Sequence, residues 1–138
     1  MKKILVTGSN GLLGQKLIER LLVEKDIQLI ATSTGANRYP ETEGYIYTEL
    51  DVCNAKDVKQ VIEHYRPDAV IHTAAMTNVD ACESNKDLCW ALNVGAVKNI
   101  IDACEGRPIQ IIHLSTDFIF DGENGPYIEE AEPNPLSY

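Results

Sequence analysis

A chain of 138 residues, 44% apolar and 24% charged, has the balance of an ordinary globular domain, long enough for a real core and short for a two-domain enzyme. Its net charge of −9 argues against nucleic acid or an anionic membrane as a main partner. An anionic cofactor stays open, because helix N-terminal amides act locally. Met1-Lys2-Lys3 leads straight into a strand too short for the apolar region of a signal peptide, and no stretch nears the ~18 apolar residues of a membrane span. A cytoplasmic protein without a membrane partner is expected.

Lys3 leads into Ile4-Leu5-Val6, a short run of branched apolar side chains closed by Thr7, and residues 3–7 read as a strand. Gly8-Ser9-Asn10-Gly11-Leu12-Leu13-Gly14 then sets three glycines at G-x-x-G-x-x-G spacing, and Leu13, Leu17, Ile18, Leu21 and Leu22 recur at helical intervals. Strand, tight turn and helix N-terminus are the context in which such glycines mean a dinucleotide site. Gly8 turns where a side chain would clash, Gly11 lets the backbone approach a pyrophosphate, and Gly14 lets the helix pack close on its strand. The first-turn N–H groups of that helix have no partners within it and face two phosphates.

Residues 27–32 read as a second strand, parallel to the first in a βαβ unit. A NAD site would place Asp or Glu at that strand's end to hold the ribose 2′-hydroxyl. Here stand Thr32, Ser33 and Thr34, then Gly35, Asn37 and Arg38. With hydroxyls and a guanidinium to bind a 2′-phosphate and no carboxylate to repel it, NADP(H) is favoured and NAD(H) remains open. Arg38 read blandly is a solvent-facing residue of a polar loop.

Residues 45–47 read as a short edge strand, and residues 55–65 as a helix with Val58, Val61 and Ile62 on one face. Asp51, followed by Val52, either accepts from an adenine amino group or caps the turn before that helix. Residues 69–75 form a nearly unbroken apolar strand and its exit, covered on both faces, where Ala74 and Ala75 leave room for a ligand. His72 is expected in the packing of the sheet rather than in chemistry. Residues 76–83, including Thr77, read as a polar connection, and residues 86–105 as one long helix with Trp90 as core. Asn93 in its middle is out of place, because Asn competes for backbone hydrogen bonds; near a cofactor it holds a main-chain group or water.

Gly106-Arg107-Pro108 ends that helix. Residues 109–114 read as another buried strand, leading to Ser115-Thr116-Asp117 at the carboxyl end of the sheet, where such sheets bind ligands. Residues 121–138 read as loop. The fold class is α/β, a Rossmann-like doubly wound parallel sheet of about five strands with helices on both faces. Residues 1–138 make one dinucleotide-binding domain, with too little chain for the last strands of a larger dinucleotide fold. Cys53, Cys82, Cys89 and Cys104 show no metal-ligand spacing and read as reduced thiols; no metal is expected.

Residues 7–14, Asp51-Val52, residues 72–75, residues 77–83, Asn93-Val94, residues 115–122 and Pro135-Leu136-Ser137-Tyr138 together resemble the extended short-chain dehydrogenase/reductases, and among them the dTDP-4-dehydrorhamnose reductase branch. The glycine pattern belongs to the whole superfamily; the T-x-V-D-x-x-E and S-T-D-x-x-F-D-G segments are specific to the branch. The resemblance implies a Thr/Tyr/Lys set that reduces the C4 keto group of a sugar nucleotide. Tyr gives a proton to the carbonyl oxygen, Lys lowers the pKa of Tyr, and NADPH supplies hydride. Thr116 matches the hydroxyl that bonds the carbonyl.

The branch pattern P-L-x-x-Y-G-x-x-K puts the tyrosine one residue past Tyr138; a register one shorter makes it Tyr138. In either register the lysine follows later, so an N-terminal, cofactor-binding piece that is inactive by itself is expected. The cofactor-binding residues are then Gly8, Ser9, Asn10, Gly11, Leu12, Leu13, Gly14, Ser33, Arg38, Asp51, Val52, Ala74, Ala75, Thr77 and Asn93, with Thr116 and Tyr138 catalytic. The partners implied are a sugar-nucleotide substrate and a second copy in a homodimer of the full-length protein. Two neighbouring readings are a sugar-nucleotide epimerase or dehydratase, which favours an acidic residue after the second strand, and a non-catalytic NADP-binding regulatory subunit like that of methionine adenosyltransferase.

Overall fold

The structure, a computed structural model, describes residues 1–137; Tyr138, with the catalytic role expected of it, lies outside the described residues. Alternation of side chains decides which way each strand faces. In β1 (Lys2–Thr7), Leu5 enters one apolar cluster and Val6 the other; in β2 (Ile27–Ser33), Ile30 opposes Leu29 and Ala31 in the same way. Both faces of the sheet are therefore apolar and need cover. α1 (Leu12–Leu21) supplies Ile18 to the Val6 side, while α2 (Ala55–Tyr65) and α5 (Ala96–Cys104) bring Val58, Ile62, Ala96 and Ile100 to the Leu5 side. Ile18 is fully buried, so its truncation to Ala is expected to cost about 2–5 kcal/mol.

With β3 (Ile46–Glu49), β4 (Ala69–His72) and β5 (Gln110–His113) the sheet has five strands in the order β3-β2-β1-β4-β5, every pairing parallel. This is the expected doubly wound sheet. The strand order reverses between β1 and β4, and the crevice outside their carboxyl ends is where such sheets take ligands.

Four expectations need correction. Residues 76–83 are not merely a connection: α3 (Val79–Ser84) forms there, because Asn78 caps it by accepting from Ala81 N–H at 2.8 Å and Asp80 stands in its first turn. Residues 86–105 are not one regular helix but α4 (Lys86–Trp90), a π-helical turn (Ala91–Gly95) and α5. Trp90 is 58% exposed and not core, since neighbouring residues of a helix point about 100° apart and Cys89 takes the inward position. β5 is the last strand of the described sheet, and Ile112 in it and Leu114 just after it are half-exposed within the described residues, where a buried strand was expected. Among the described residues, no helix is long and apolar enough to cross a membrane. All four cysteines are free thiols.

Candidate functional site

The turn after β1 lies against the exit of β4. Gly8 has φ of 69°, and a Cβ there would stand 2.6 Å from Ala74 N and 2.8 Å from Ala74 Cα, so only glycine fits. Thr73 seals the seam by donating its hydroxyl to Thr7 O at 2.7 Å. Gly14 is needed for a different contact from the expected one. A Cβ there would meet Gly8 O and stand 2.6 Å from Ser9 Cα, so the first turn of α1 packs on the glycine turn itself.

The helix N-termini divide into two kinds. Asn54 caps α2 with its Oδ1 accepting from Lys56 and Asp57 N–H, Asn78 caps α3, and Asn85 caps α4; each of these helices also carries an Asp in its first turn. The cap position of α1 is Gly11, with no side chain to accept and no acidic residue in the first turn. Gly11 N–H is spent on Gly8 O at 2.9 Å. The following amides, of Leu12, Leu13 and Gly14, precede the first intrahelical donor and keep the dipole's positive end uncompensated. The side chains of Leu12 and Leu13 are exposed, so it is backbone that these residues present here.

A cleft of about 340 Å³ opens beside this turn. It gathers eight of the expected residues, namely Gly8, Asn10, Gly11, Ser33, Arg38, Val52, Ala74 and Ala75, together with Thr34, Leu50, Thr73 and Leu92. The last three went unread as site residues. Leu50 and Thr73 each adjoin an expected site residue or a strand exit, which is the signal that marks them; Leu92 becomes visible only once the π-helical turn is in place.

Asn10 makes this cleft a single unit. Its Nδ2 donates to Ala36 O at 3.0 Å, its Oδ1 accepts from Arg38 N–H at 2.9 Å, and Gln15 holds its carbonyl from α1. Tyr47 on β3 joins by donating to Gly35 O at 2.6 Å, and burial pushes its phenol pKa up. The loop that carries Arg38 is thereby tied to the glycine turn. The fold also brings a carboxylate that sequence order concealed: Glu49, register partner of Ser33, accepts from Gly35 N–H at 3.0 Å. That acid is directed at the loop backbone.

The remaining expected residues stand outside the cleft. Ser9 is fully buried, with its N–H on Thr32 O at 3.0 Å and its hydroxyl without a partner among the described residues. Asp51 makes the turn bond, accepting from Cys53 N–H at 2.9 Å, while Asn54 caps the helix. Thr77 is exposed beside the cap of α3. Asn93 does hold a main-chain group: Oδ1 accepts from Met76 N–H at 2.8 Å and Nδ2 donates to Met76 O at 3.0 Å. The π-helical turn presents this amide to the chain leaving β4, which accounts for a residue that weakens a helix. Cys89 accepts from the same Nδ2, and Cys82, whose pKa is pushed up to about 11 by its hydrogen bond to Cys89 and by burial, lies against Met76 O.

Thr116 is exposed and caps a short 3-10 turn (Asp117–Ile119), its hydroxyl accepting from Phe118 N–H at 3.2 Å. Beside it a second cavity of about 480 Å³ is lined by Val79, Phe118, Phe120, Tyr127 and Leu136 among others. Phe120 and Tyr127 stack at 4.3 Å. Asp121 organises the loop behind them: it accepts from Tyr127 Oη at 2.5 Å, Glu123 N–H at 2.9 Å and Asn134 Nδ2 at 2.9 Å. These donors, the tyrosine first, hold its pKa down to about 2. Residues 121–137 form no helix or strand, as expected, yet this carboxylate ties residues 123, 127 and 134 together.

The sequence profile of the RmlD substrate binding domain family matches residues 1–138. Among curated relatives, a "probable low-salt glycan biosynthesis reductase Agl14" of Haloferax volcanii is 36% identical over 132 residues, covering 95% of this chain and 43% of that protein. Methionine adenosyltransferase 2 subunit beta of Xenopus tropicalis is 32% identical over 136 residues, covering 99% of this chain and 39% of that protein. A solved structure described as a hypothetical dTDP-4-dehydrorhamnose reductase from Sulfolobus tokodaii superposes with a TM-score of 0.84 at 36% identity, over 99% of this chain and 47% of that one. The chain thus spans about two fifths of the length of the curated relatives it matches.

Proposed function

The chain belongs to the RmlD substrate binding domain family, and from that premise we propose that it is the NADP(H)-binding part of a sugar-nucleotide reductase acting on the C4 keto group of dTDP-4-dehydrorhamnose. The observation that carries this is the uncapped N-terminus of α1 opening on a cleft whose floor tolerates no Cβ at Gly8. Backbone amides and a glycine floor fit a pyrophosphate. Ser33, Thr34 and Arg38 at the β2 rim fit a 2′-phosphate, with Glu49 engaged by Gly35 N–H. Leu50 and Val52 offer the adenine an apolar wall.

When bound, a nicotinamide dinucleotide would supply hydride to the carbonyl carbon, and the tyrosine that the family pattern sets at Tyr138 or one residue later would give the proton to the carbonyl oxygen. This chain's part is to hold the dinucleotide between the glycine turn and Ala74-Ala75, and to bond the carbonyl oxygen with the Thr116 hydroxyl. The aromatic cavity around Phe118, Phe120 and Tyr127 beside Thr116 is suited to the sugar nucleotide. The test is NADPH consumption by the full-length protein on addition of dTDP-4-dehydrorhamnose. Turnover is expected, falling about 100-fold in Thr116→Val with NADPH affinity unchanged; no turnover overturns the proposal.

The likeness to a methionine adenosyltransferase subunit favours one second reading, an NADP-binding subunit that regulates a partner without catalysis. The residues encoded after Tyr138 separate the two. A following Tyr, or Tyr138 itself, with Lys four residues on supports catalysis; their absence supports the regulatory reading.

A further inference from the structure

We infer that His72 is a positioning residue: through its Nδ1 bond to Thr7 it sets the spacing between the glycine turn after β1 and the wall of residues 73–75 after β4. The inference rests on the dinucleotide reading of the cleft. Thr7 and His72 are the last register partners of the β1–β4 ladder, and their side chains meet at 2.6 Å, with 1% and 2% of their surface exposed. One residue further on each strand are Gly8 and Thr73, and a Cβ on Gly8 would stand 2.9 Å from Thr73 C. Thr7 O accepts from both the hydroxyl and the N–H of Thr73, so the polar pair closes a seam already bonded on its backbone side.

Stability alone does not favour this arrangement. An apolar pair would fill the same space without desolvating a hydroxyl and an imidazole, and His72 Nε2 is buried with no partner among the described residues. What the pair adds is a directional bond of fixed length beneath the cleft floor. The ring stacks on His113 of β5 at 5.5 Å, and no other charged group acts on it among the described residues. Burial first, and then His113, hold the His72 pKa down to about 4, so the ring is neutral near pH 7. A proton there leaves a charged N–H at Nε2 with no acceptor, which loosens the seam.

The test titrates NADPH and, separately, adenosine 2′,5′-bisphosphate into the full-length protein and its His72→Leu and His72→Asn variants. Because the bisphosphate answers to the β2 rim rather than to the seam, His72→Leu is expected to weaken NADPH about tenfold and leave the bisphosphate within about twofold. In His72→Asn, whose side-chain amide reaches the Nδ1 position, NADPH affinity is restored and no longer falls on acidification from about pH 6 to about pH 4, the range in which the parent's His72 gains its proton. Unchanged NADPH affinity in His72→Leu, or equal weakening of both ligands, overturns the inference. If His72→Leu does not fold, an acid-dependent loss shared by His72→Asn and the parent overturns it. Parent protein that binds neither ligand at neutral pH instead overturns the dinucleotide reading on which the inference stands.

Discussion

The N-termini of α1 and α2 solve one electrostatic problem in opposite ways. Each helix leaves its first amides without intrahelical acceptors. At α2 the chain supplies the missing partner: Asn54 accepts from two amides, and Asp57 adds a charge that also receives a bond from Asn54 Nδ2 at 2.7 Å. At α1 it supplies none, placing Gly11 at the cap and Leu12 and Leu13 after it. Built like α2, the α1 end would satisfy its amides internally and would have nothing to offer an anion. Where a fold caps a helix within its own chain it gains stability; where it withholds the cap beside a cleft, those amides stay open to a ligand.

The comparison breaks most severely at Gly8. Gly8→Ala places a Cβ under 3.0 Å from the Ala74 and Thr73 backbone at a φ of 69°, and is expected to abolish dinucleotide binding and lower stability by about 2–4 kcal/mol, read by titration and denaturant melts. Next in size is acid sensitivity beneath the same turn. His72 has a folded pKa of about 4 against an ordinary 6.5, so between those values the unfolded chain binds a proton that the folded chain refuses. Stability is therefore full above about pH 6.5 and declines as pH falls toward 4, by about 3 kcal/mol in all. Denaturant melts of His72→Asn, compared with the parent, should lack that decline.

Smaller effects sharpen the contrast at the rims. Arg38→Ala is expected to weaken NADPH about tenfold and leave NADH unchanged, measured by fluorescence titration; equal affinity for both cofactors in the parent, with neither altered by the substitution, removes the NADP reading. Asn54→Ala should lower stability by about 1 kcal/mol and leave cofactor affinity untouched, since Asn54 does not line the cleft beside the glycine turn.

Much of this was legible in local pattern. Branched apolar runs gave the strands, residues 55–65 matched α2, and the glycine spacing located the turn, because each signal is confined to a few neighbouring residues. Other features depended on what the fold brings together. Glu49 reaches the Arg38 loop only through the β2–β3 register, and Asn10 is bound into that loop over two dozen residues of separation. Asn93 stood out as a poor helix residue, but the π-helical turn that gives it a partner in Met76 has no sequence period of its own. Trp90 misled because size suggested burial, and its neighbour Cys89 faced inward instead.

The most direct test gives α1 the kind of N-terminus that α2 has. Gly11 is exposed, with φ of −79° and ψ of 170° that any residue adopts, and a Cβ there stands 3.2 Å from Gly8 O, so Gly11→Asp introduces a capping carboxylate at the cost of a small shift of that carbonyl. NADPH titration of the full-length protein is predicted to show tight binding in the parent and a loss of at least about tenfold in the variant, which stays folded because the added cap offsets the shift at Gly8. Undiminished NADPH binding by the folded Gly11→Asp protein would contradict the claim that these amides hold the pyrophosphate.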